Sequence, residues 1–405
     1  MTVEHLAVER LGHQGDGIAP GPIFVPLTLP GEVVEGEVVD GRMVLPRILQ
    51  ASDHRQKSPC PHYRACGGCT VQHARDPFVA DWKIAVVQNA LEAQGLSAPI
   101  KGISTSPPGT RRRATLHGRR TRTGALVGFH GRASDLLTEI PGCLVLDPAL
   151  LALLPALREI TDLIGSRKGE LDFALTLTGS GIDLAMTGTA RDLLPSEIEK
   201  VLLVTGDQLC RLSWNGEVLA QLHPAHLRIA GTDISLPPNA FLQATPQGEA
   251  ALIDYVTRFC TGSERIADLF AGIGTFALPL AASANVSAFE GDDAMRRALA
   301  RAAHESGRQV TAQTRDLFRQ PLEPDELAAI DAVVIDPPRA GAEAQSITLA
   351  ASSVAKIASV SCNPVTFARD AKILVAGGYT LKSIDVIDQF RWSAHVELVA
   401  LLAKE

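Results

Sequence analysis

The sequence predicts a mixed α/β chain in three parts: a small β-barrel over residues 1–55, a mixed α/β middle over 56–235, and a doubly wound α/β domain over 236–405. Three observations carry this. Residues 1–52 alternate short apolar runs, such as Phe24-Val25 and Val33-Val34, with Gly, Pro and Asp, as short strands joined by tight turns do. A loop with the spacing Cys60-x5-Cys66-x2-Cys69 opens the middle part. Finally, Arg265-Ile266-Ala267-Asp268-Leu269-Phe270-Ala271-Gly272-Ile273-Gly274-Thr275 reads as a strand, a Gly-x-Gly turn and the start of a helix. That is the first unit of an open α/β sheet, which binds ligands at the carboxyl ends of its strands.

The 405 residues, 46% hydrophobic and 20% charged, are enough for several cores of ordinary soluble composition. No apolar run reaches the length of a membrane span. Met1-Thr2-Val3-Glu4-His5 lacks a basic segment ahead of an apolar core, so the expected location is the cytoplasm. A net charge of −7 excludes a general attraction to nucleic acid, so any such contact must be local. Nothing in the sequence marks an obligate protein partner.

Taken in order, the N-terminal part holds few basic residues (Arg10, Arg42, Arg47) and several acids, including Glu32, Glu35 and Glu37. Of the seven cysteines, three fall between 60 and 69, a spacing that in a reducing compartment favours a metal or cluster over disulfides. Gly67-Gly68 would let that loop fold around its guest. Zinc would also suit these ligands, with His62 or His73 as a fourth. A helix is expected over 76–98. After it come Arg111, Arg112, Arg113, Arg119, Arg120 and Arg122, six arginines in twelve residues, a candidate phosphate-contacting surface. Residues 148–163 read as a helix and 171–186 as a hairpin turning at Gly179-Ser180-Gly181.

In the C-terminal part, Val286–Glu290 reads as a second strand whose terminal carboxylate suits the hydroxyls of a ribose. Val310–Thr314 reads as a third. Ile330–Ile335 ends in Asp336-Pro337-Pro338-Arg339, and Ile357–Val360 ends in Ser361-Cys362-Asn363-Pro364. Both bring polar groups to one rim of the sheet. A cysteine at such a strand end is placed to act as a nucleophile, whereas Cys210 and Cys260 sit in apolar surroundings as core residues do.

Together the cysteine loop with its Gln72-His73, the Gly272–Gly274 turn, Asp-Pro-Pro-Arg and Ser-Cys-Asn-Pro resemble the bacterial S-adenosylmethionine (SAM)-dependent RNA uracil-C5 methyltransferases, in the branch that modifies 23S rRNA. The resemblance spans nearly the whole chain. It implies an OB-like TRAM barrel, a central domain with a [4Fe-4S] cluster, and a class I (Rossmann-like) methyltransferase domain. It implies Cys143 as a fourth cluster ligand beside Cys60, Cys66 and Cys69, contacts to SAM from Gln243, Phe270, Thr275, Glu290 and Asp316, and a contact from Asp336 to SAM or to the target base. It implies Cys362 as the nucleophile that adds to uracil C6, and Glu397 in His395-Val396-Glu397 as the base that removes the C5 proton. Such a nucleophile needs a lowered pKa, or activation by the substrate. Ser393-Ala394 stands where the family usually has Thr-Pro, and Ala271 and Thr275 stand where many members have Cys and Asn. Arg339 occupies the place where amino-group methyltransferases carry an aromatic, which argues against N-methylation. Two other readings stay open: the same chemistry on a tRNA uridine, and an iron–sulfur RNA-binding protein without catalysis. A DNA cytosine-C5 methyltransferase would carry Pro-Cys before its nucleophile.

Overall fold

The computed structural model describes residues 3–188 and 191–404. Its C-terminal sheet positions the site. Taking its seven C-terminal strands in chain order (Arg265–Leu269, Asn285–Glu290, Val310–Thr314, Ala332–Ile335, Lys356–Ser361, Thr380–Asp388 and Glu397–Ala403), the spatial order is 3-2-1-4-5-7-6. The first five are parallel, and Glu397–Ala403 runs antiparallel to both neighbours. Strand order reverses between Arg265–Leu269 and Ala332–Ile335, and the crevice at such a reversal is where an open α/β sheet takes its ligand. The central strands are buried on both faces, which explains why Ala332–Ile335 is a continuous apolar run rather than an alternating one.

An eighth strand, Ile100–Thr105, pairs in parallel with Thr380–Asp388 at the sheet edge. The helix before it, Asp76–Glu92, sends Val87 and Leu91 into the core of this sheet. Residues 76–105, assigned by sequence to the middle part, therefore belong physically to the C-terminal sheet. A local pattern cannot show a pairing with a strand some 280 residues away. The helix stops at Glu92 rather than reaching 98, because Gly95 adopts φ +72° and the chain turns there into the edge strand.

The middle sheet runs Leu137–Glu139, Ala125–His130, Arg113–Arg120, Leu171–Thr178, Gly181–Thr187, Leu209–Trp214, Glu217–Gln221, and is covered by Leu154–Ile164 and Pro195–Thr205. The hairpin at 179–181 forms as expected. The helix expected over 148–163 is two helices, Pro148–Ala152 and Leu154–Ile164, broken where Pro155 lacks the N–H a continuous helix needs. The N-terminal sheet orders Val3–Ala7, Val33–Val39, Arg42–Met43, Ile23–Val25, Gly17–Ala19, Arg10–Leu11, with Arg47–Gln50 also on Val33–Val39. Its small core is Val8, Ala19, Val25, Val34 and Met43. Glu32, one of the acids of the N-terminal part, is wholly buried and accepts from the backbone N–H groups of Leu29 and Ser52 and from Arg55. No helix among the described residues is long and apolar enough to cross a membrane.

Candidate functional site

Cys362 and Glu397 lie across from each other. Ser361 pairs with Leu398 at the end of the antiparallel ladder, Cys362 follows the one and Glu397 precedes the other, and the Glu397 charge reaches the Cys362 thiol. Local sequence explains the Cys362 end. Strand Lys356–Ser361 stops there. Asn363 caps the helix Pro364–Ala376 through Oδ1, which accepts from Val365 N at 3.1 Å, and Pro364 takes the first helical position. Asn363 Nδ2 donates to Arg339 O at 3.0 Å and ties the Asp-Pro-Pro-Arg segment to the same corner.

Glu397 is buried, 4% exposed, and not the surface charge that its place in a terminal strand might suggest. Burial and the nearby Asp336 carboxylate raise its pKa to about 8. Burial raises Asp336 to about 7. The Gln389 amide nitrogen donates to Glu397 Oε2 and, at 2.8 Å, to Gln243 Oε1. Gln243 Nε2 in turn donates to Asp336 Oδ2 at 3.4 Å. One chain of amides thus links two carboxylates that would otherwise repel. Burial raises the Cys362 thiol as well, with Glu397 and Asp336 adding to the rise and Arg339 opposing it. The setting therefore does not lower the thiol pKa.

On the other side of the strand-order reversal, Phe270 is held at φ +61° and Gly274 at φ +97°. A Cβ on Gly274 would come within 2.4 Å of Leu299. The turn therefore needs glycine for packing as well as for backbone conformation. Glu290 accepts from Gly272 N and Asp292 N, both at 2.8 Å, which fixes the carboxylate at the end of its strand. Thr275 is half-buried just ahead of the short helix Ala277–Leu280. Asp316 is exposed and accepts from Phe318 N and Arg319 N, capping a turn. Next to it Phe318 packs on Phe270 with centroids 5.3 Å apart. Asp268, in the first strand, is fully buried, with only the Ala277 backbone near enough to favour its charged form. Burial and Asp336 raise its pKa far above the carboxylate range. Burial without a charged partner thus favours the neutral acid at this position.

A cavity of about 710 Å³ joins the cysteine loop to the strand end: Cys60, Cys66, Cys69 and Cys143 line it, and so do Cys362, Arg111, Arg339 and His395. Gly67 is required where the loop meets the middle sheet, since a Cβ there would lie 2.8 Å from His130 O. Gly68 N donates to Cys66 Sγ at 3.4 Å. Burial pushes the Cys69 thiol up to about 12 and raises Cys66, and the neighbouring thiols add to both. The two histidines that zinc would recruit are engaged elsewhere. His62 Nε2 accepts from Gly142 N at 3.2 Å, and buried His73 meets the Tyr63 hydroxyl at 2.6 Å. Among the described residues, the one group whose ligand atoms lie within 4.8 Å of one another is His117, His130 and Glu170. The four cysteine thiols therefore do not converge on a point as they would around one ion.

The arginines do not form a single surface, which corrects the expectation for Arg112. Its side chain is buried, donating to Gln243 O at 2.9 Å and to Glu249 at 2.6 Å. Arg113 lies over the Phe241 ring at 4.2 Å, and Arg111 lies 5.4 Å from the Phe390 ring centroid. Arg119 pairs with Glu170 and Arg120 with Asp162, while Arg122 is exposed. Strand alternation sends neighbouring side chains to opposite faces, so a run dense in sequence is divided in space. Sequence reasoning missed Gln389, Phe318, Lys83 and the burial of Asp268. For Asp268 the motif itself was the signal. For Gln389 and Lys83 no local signal exists.

The family described as tRNA (Uracil-5-)-methyltransferase matches residues 220–405. An uncharacterized RNA methyltransferase of Brucella suis biovar 1 (strain 1330) is 42% identical over 98% of this chain and 97% of its own length. A 23S rRNA (uracil(1939)-C(5))-methyltransferase of Chromohalobacter salexigens is 34% identical over 100% of this chain and 90% of its own. In fold, the chain is similar to the Pyrococcus abyssi tRNA (uracil-54, C5)-methyltransferase, solved in complex with S-adenosyl-L-homocysteine, with TM-score 0.77 at 22% identity over 99% of this chain and 100% of that one. With full-length relatives above the 30% level and a mixed α/β, Rossmann-like architecture throughout the C-terminal part, the chain belongs to the SAM-dependent RNA uracil-5-methyltransferase family.

Proposed function

We propose that the protein transfers a methyl group from SAM to C5 of one uridine in 23S rRNA through a covalent bond between Cys362 and uracil C6. The observation that carries this is the placement of Cys362, one residue past the end of the Ser361–Leu398 ladder, within reach of the charge of a buried Glu397, with Asp336 and Gln389 at hand. Cys362 Sγ adds to C6, and C5 of the resulting enolate takes the methyl of SAM. Glu397 removes the C5 proton as the C6–S bond breaks, which releases 5-methyluridine and the free thiol. A base poised near neutrality suits that step. Gln243, Phe270, Thr275, Glu290, Asp316 and Asp336 hold SAM, and the glycine turn admits its backbone contacts. The target base must leave its stack to reach Cys362. Arg111 and Arg113, turned toward the site, and exposed Arg122 contact the RNA, while Arg119 and Arg120 contribute from the strand's far end.

The N-terminal sheet acts as an OB-like TRAM barrel, residues 56–235 supply the cysteine loop and the arginines, and 236–405 do the chemistry in the cytoplasm. Cys60, Cys66, Cys69 and Cys143 would hold a [4Fe-4S] cluster. Four thiols that line one cavity, with no three of them within 4.8 Å of one another, suit a guest that takes one thiolate at each corner. When bound, the cluster supplies a fixed cross-link between loop and middle sheet. The choice of 23S rRNA over tRNA rests on the relative from Chromohalobacter salexigens, named for that activity and matched over the whole chain. Methyl transfer from labelled SAM to transcribed 23S rRNA and to bulk tRNA, with Cys362→Ala as control, tests it. Label on 23S rRNA alone is expected. Label on tRNA alone overturns the substrate, and no label on either overturns the reaction.

A further inference from the structure

Lys83 is fully buried in a helix that carries none of the residues assigned above to chemistry or to SAM. Its ammonium donates to Asp388 Oδ1 at 2.6 Å, to Phe390 O at 3.1 Å and to His395 O at 3.0 Å. All three acceptors belong to one stretch. Asp388 ends strand Thr380–Asp388, His395 lies two residues before strand Glu397–Ala403, and Phe390 lies between. This stretch contains Gln389, and it delivers Glu397. Asp76, seven residues earlier and so on the same helix face, accepts from Trp392 Nε1 at 3.0 Å and pairs with Arg391. The Trp392 carbonyl accepts from Thr70 N at 2.8 Å and Val71 N at 3.0 Å, and Trp392 itself is held at φ +60°, a conformation that bulky residues avoid. Such strain persists only where the surroundings over-determine it, and it clusters at working sites.

A buried ion pair is a poor device for stability alone, because apolar side chains of the same volume do as well or better. What the ammonium adds here is direction: one group draws both ends of the 389–396 segment to a single point. We propose that Lys83 is a positioning residue for the second half of the reaction, holding the segment so that Glu397 and its partner Gln389 stay aimed at the C5 proton. This rests on the reading of Glu397 as the base. Lys83 has no part in the first half, in which the Cys362–C6 bond forms and the methyl group moves from sulfur to C5. It acts where Glu397 takes the C5 proton and the electron pair of that C–H bond expels the Cys362 thiolate.

The two halves separate on a denaturing gel. A protein–RNA adduct that cannot lose its C5 proton persists as a slow-moving band. Lys83→Met alone would leave Asp388 buried and unpaired and risks the fold, so the test uses the Lys83→Met, Asp388→Asn double variant beside Glu397→Gln, on an RNA that the wild-type protein methylates. Thermal melting and SAM binding first establish that both are folded. The expected result is an adduct band in both, with turnover of the double variant down about 10²-fold, the scale of a 1 Å misplacement, and its KM for RNA within about twofold of wild type. Wild-type turnover in the folded double variant overturns the proposal. So does lost turnover without an adduct while Glu397→Gln accumulates one. If Glu397→Gln accumulates none, the base is not Glu397, and the proposal falls with that reading.

Discussion

The Gln389 amide nitrogen is shared between Glu397 and Gln243, so the residue read as the base and a residue read as a SAM contact are held by one donor. Thr245 N fixes the other end of that amide by donating to Gln389 Oε1 at 3.2 Å. Gln389 opposes the burial that raises Glu397, and Asp336 reinforces it. The acid limb of the kcat/KM profile should therefore lie near the pKa of about 8 carried by Glu397. Gln389→Leu should move that limb to higher pH, because a group that lowers the pKa is gone. Asp336→Asn should move it to lower pH. Initial rates across pH 5.5–9.5 check both signs.

The same carboxylate should tune stability. Its folded pKa, about 8, lies above the unfolded value near 4.5, so its contribution is fully present below pH 4.5 and is lost as pH rises through 8. Glu397→Gln cannot ionise. The variant should melt above the wild type at pH 9, and the gap should close toward pH 5. Melting curves at a series of pH values test this. Turnover of this variant should fall by about 10²–10⁴-fold, the usual weight of a general base.

Arg112 should behave as a structural residue. Arg112→Met leaves Glu249 buried without its partner and should cost about 3–5 kcal/mol in urea unfolding. Arg122→Ala should leave stability unchanged and weaken RNA binding, with a salt slope about one unit shallower.

Cys69→Ser should lower the iron and sulfide found per chain, and with them the melting temperature, because metal binding energy at such a site is folding energy. Cys260→Ser, at a buried core position away from that cavity, should leave the iron content as it is.

Much of the site was legible along the chain because strand ends, turns and caps are written in neighbouring residues. Gly272 and Gly274, the Asn363-Pro364 cap behind Cys362 and the terminal carboxylate of Glu290 each need only a few adjacent positions to be recognised. The cysteine spacing at 60–69 was visible for the same reason. What the linear order could not show is what depends on pairing between distant segments. Strand Ile100–Thr105 joins a sheet whose other members begin at Arg265. Arg112 turns inward while Arg111 and Arg113 do not, since that depends on which face of the strand is covered. The raised pKa values of Glu397, Asp336 and Asp268 exist only because folding buries all three, with the Asp336 charge adding to the rise at Glu397 and Asp268. The sequence by itself determined which chemical groups the protein has and which local turns present them. The tertiary structure alone decided which of those groups face one another, and so which carboxylate can serve as a base.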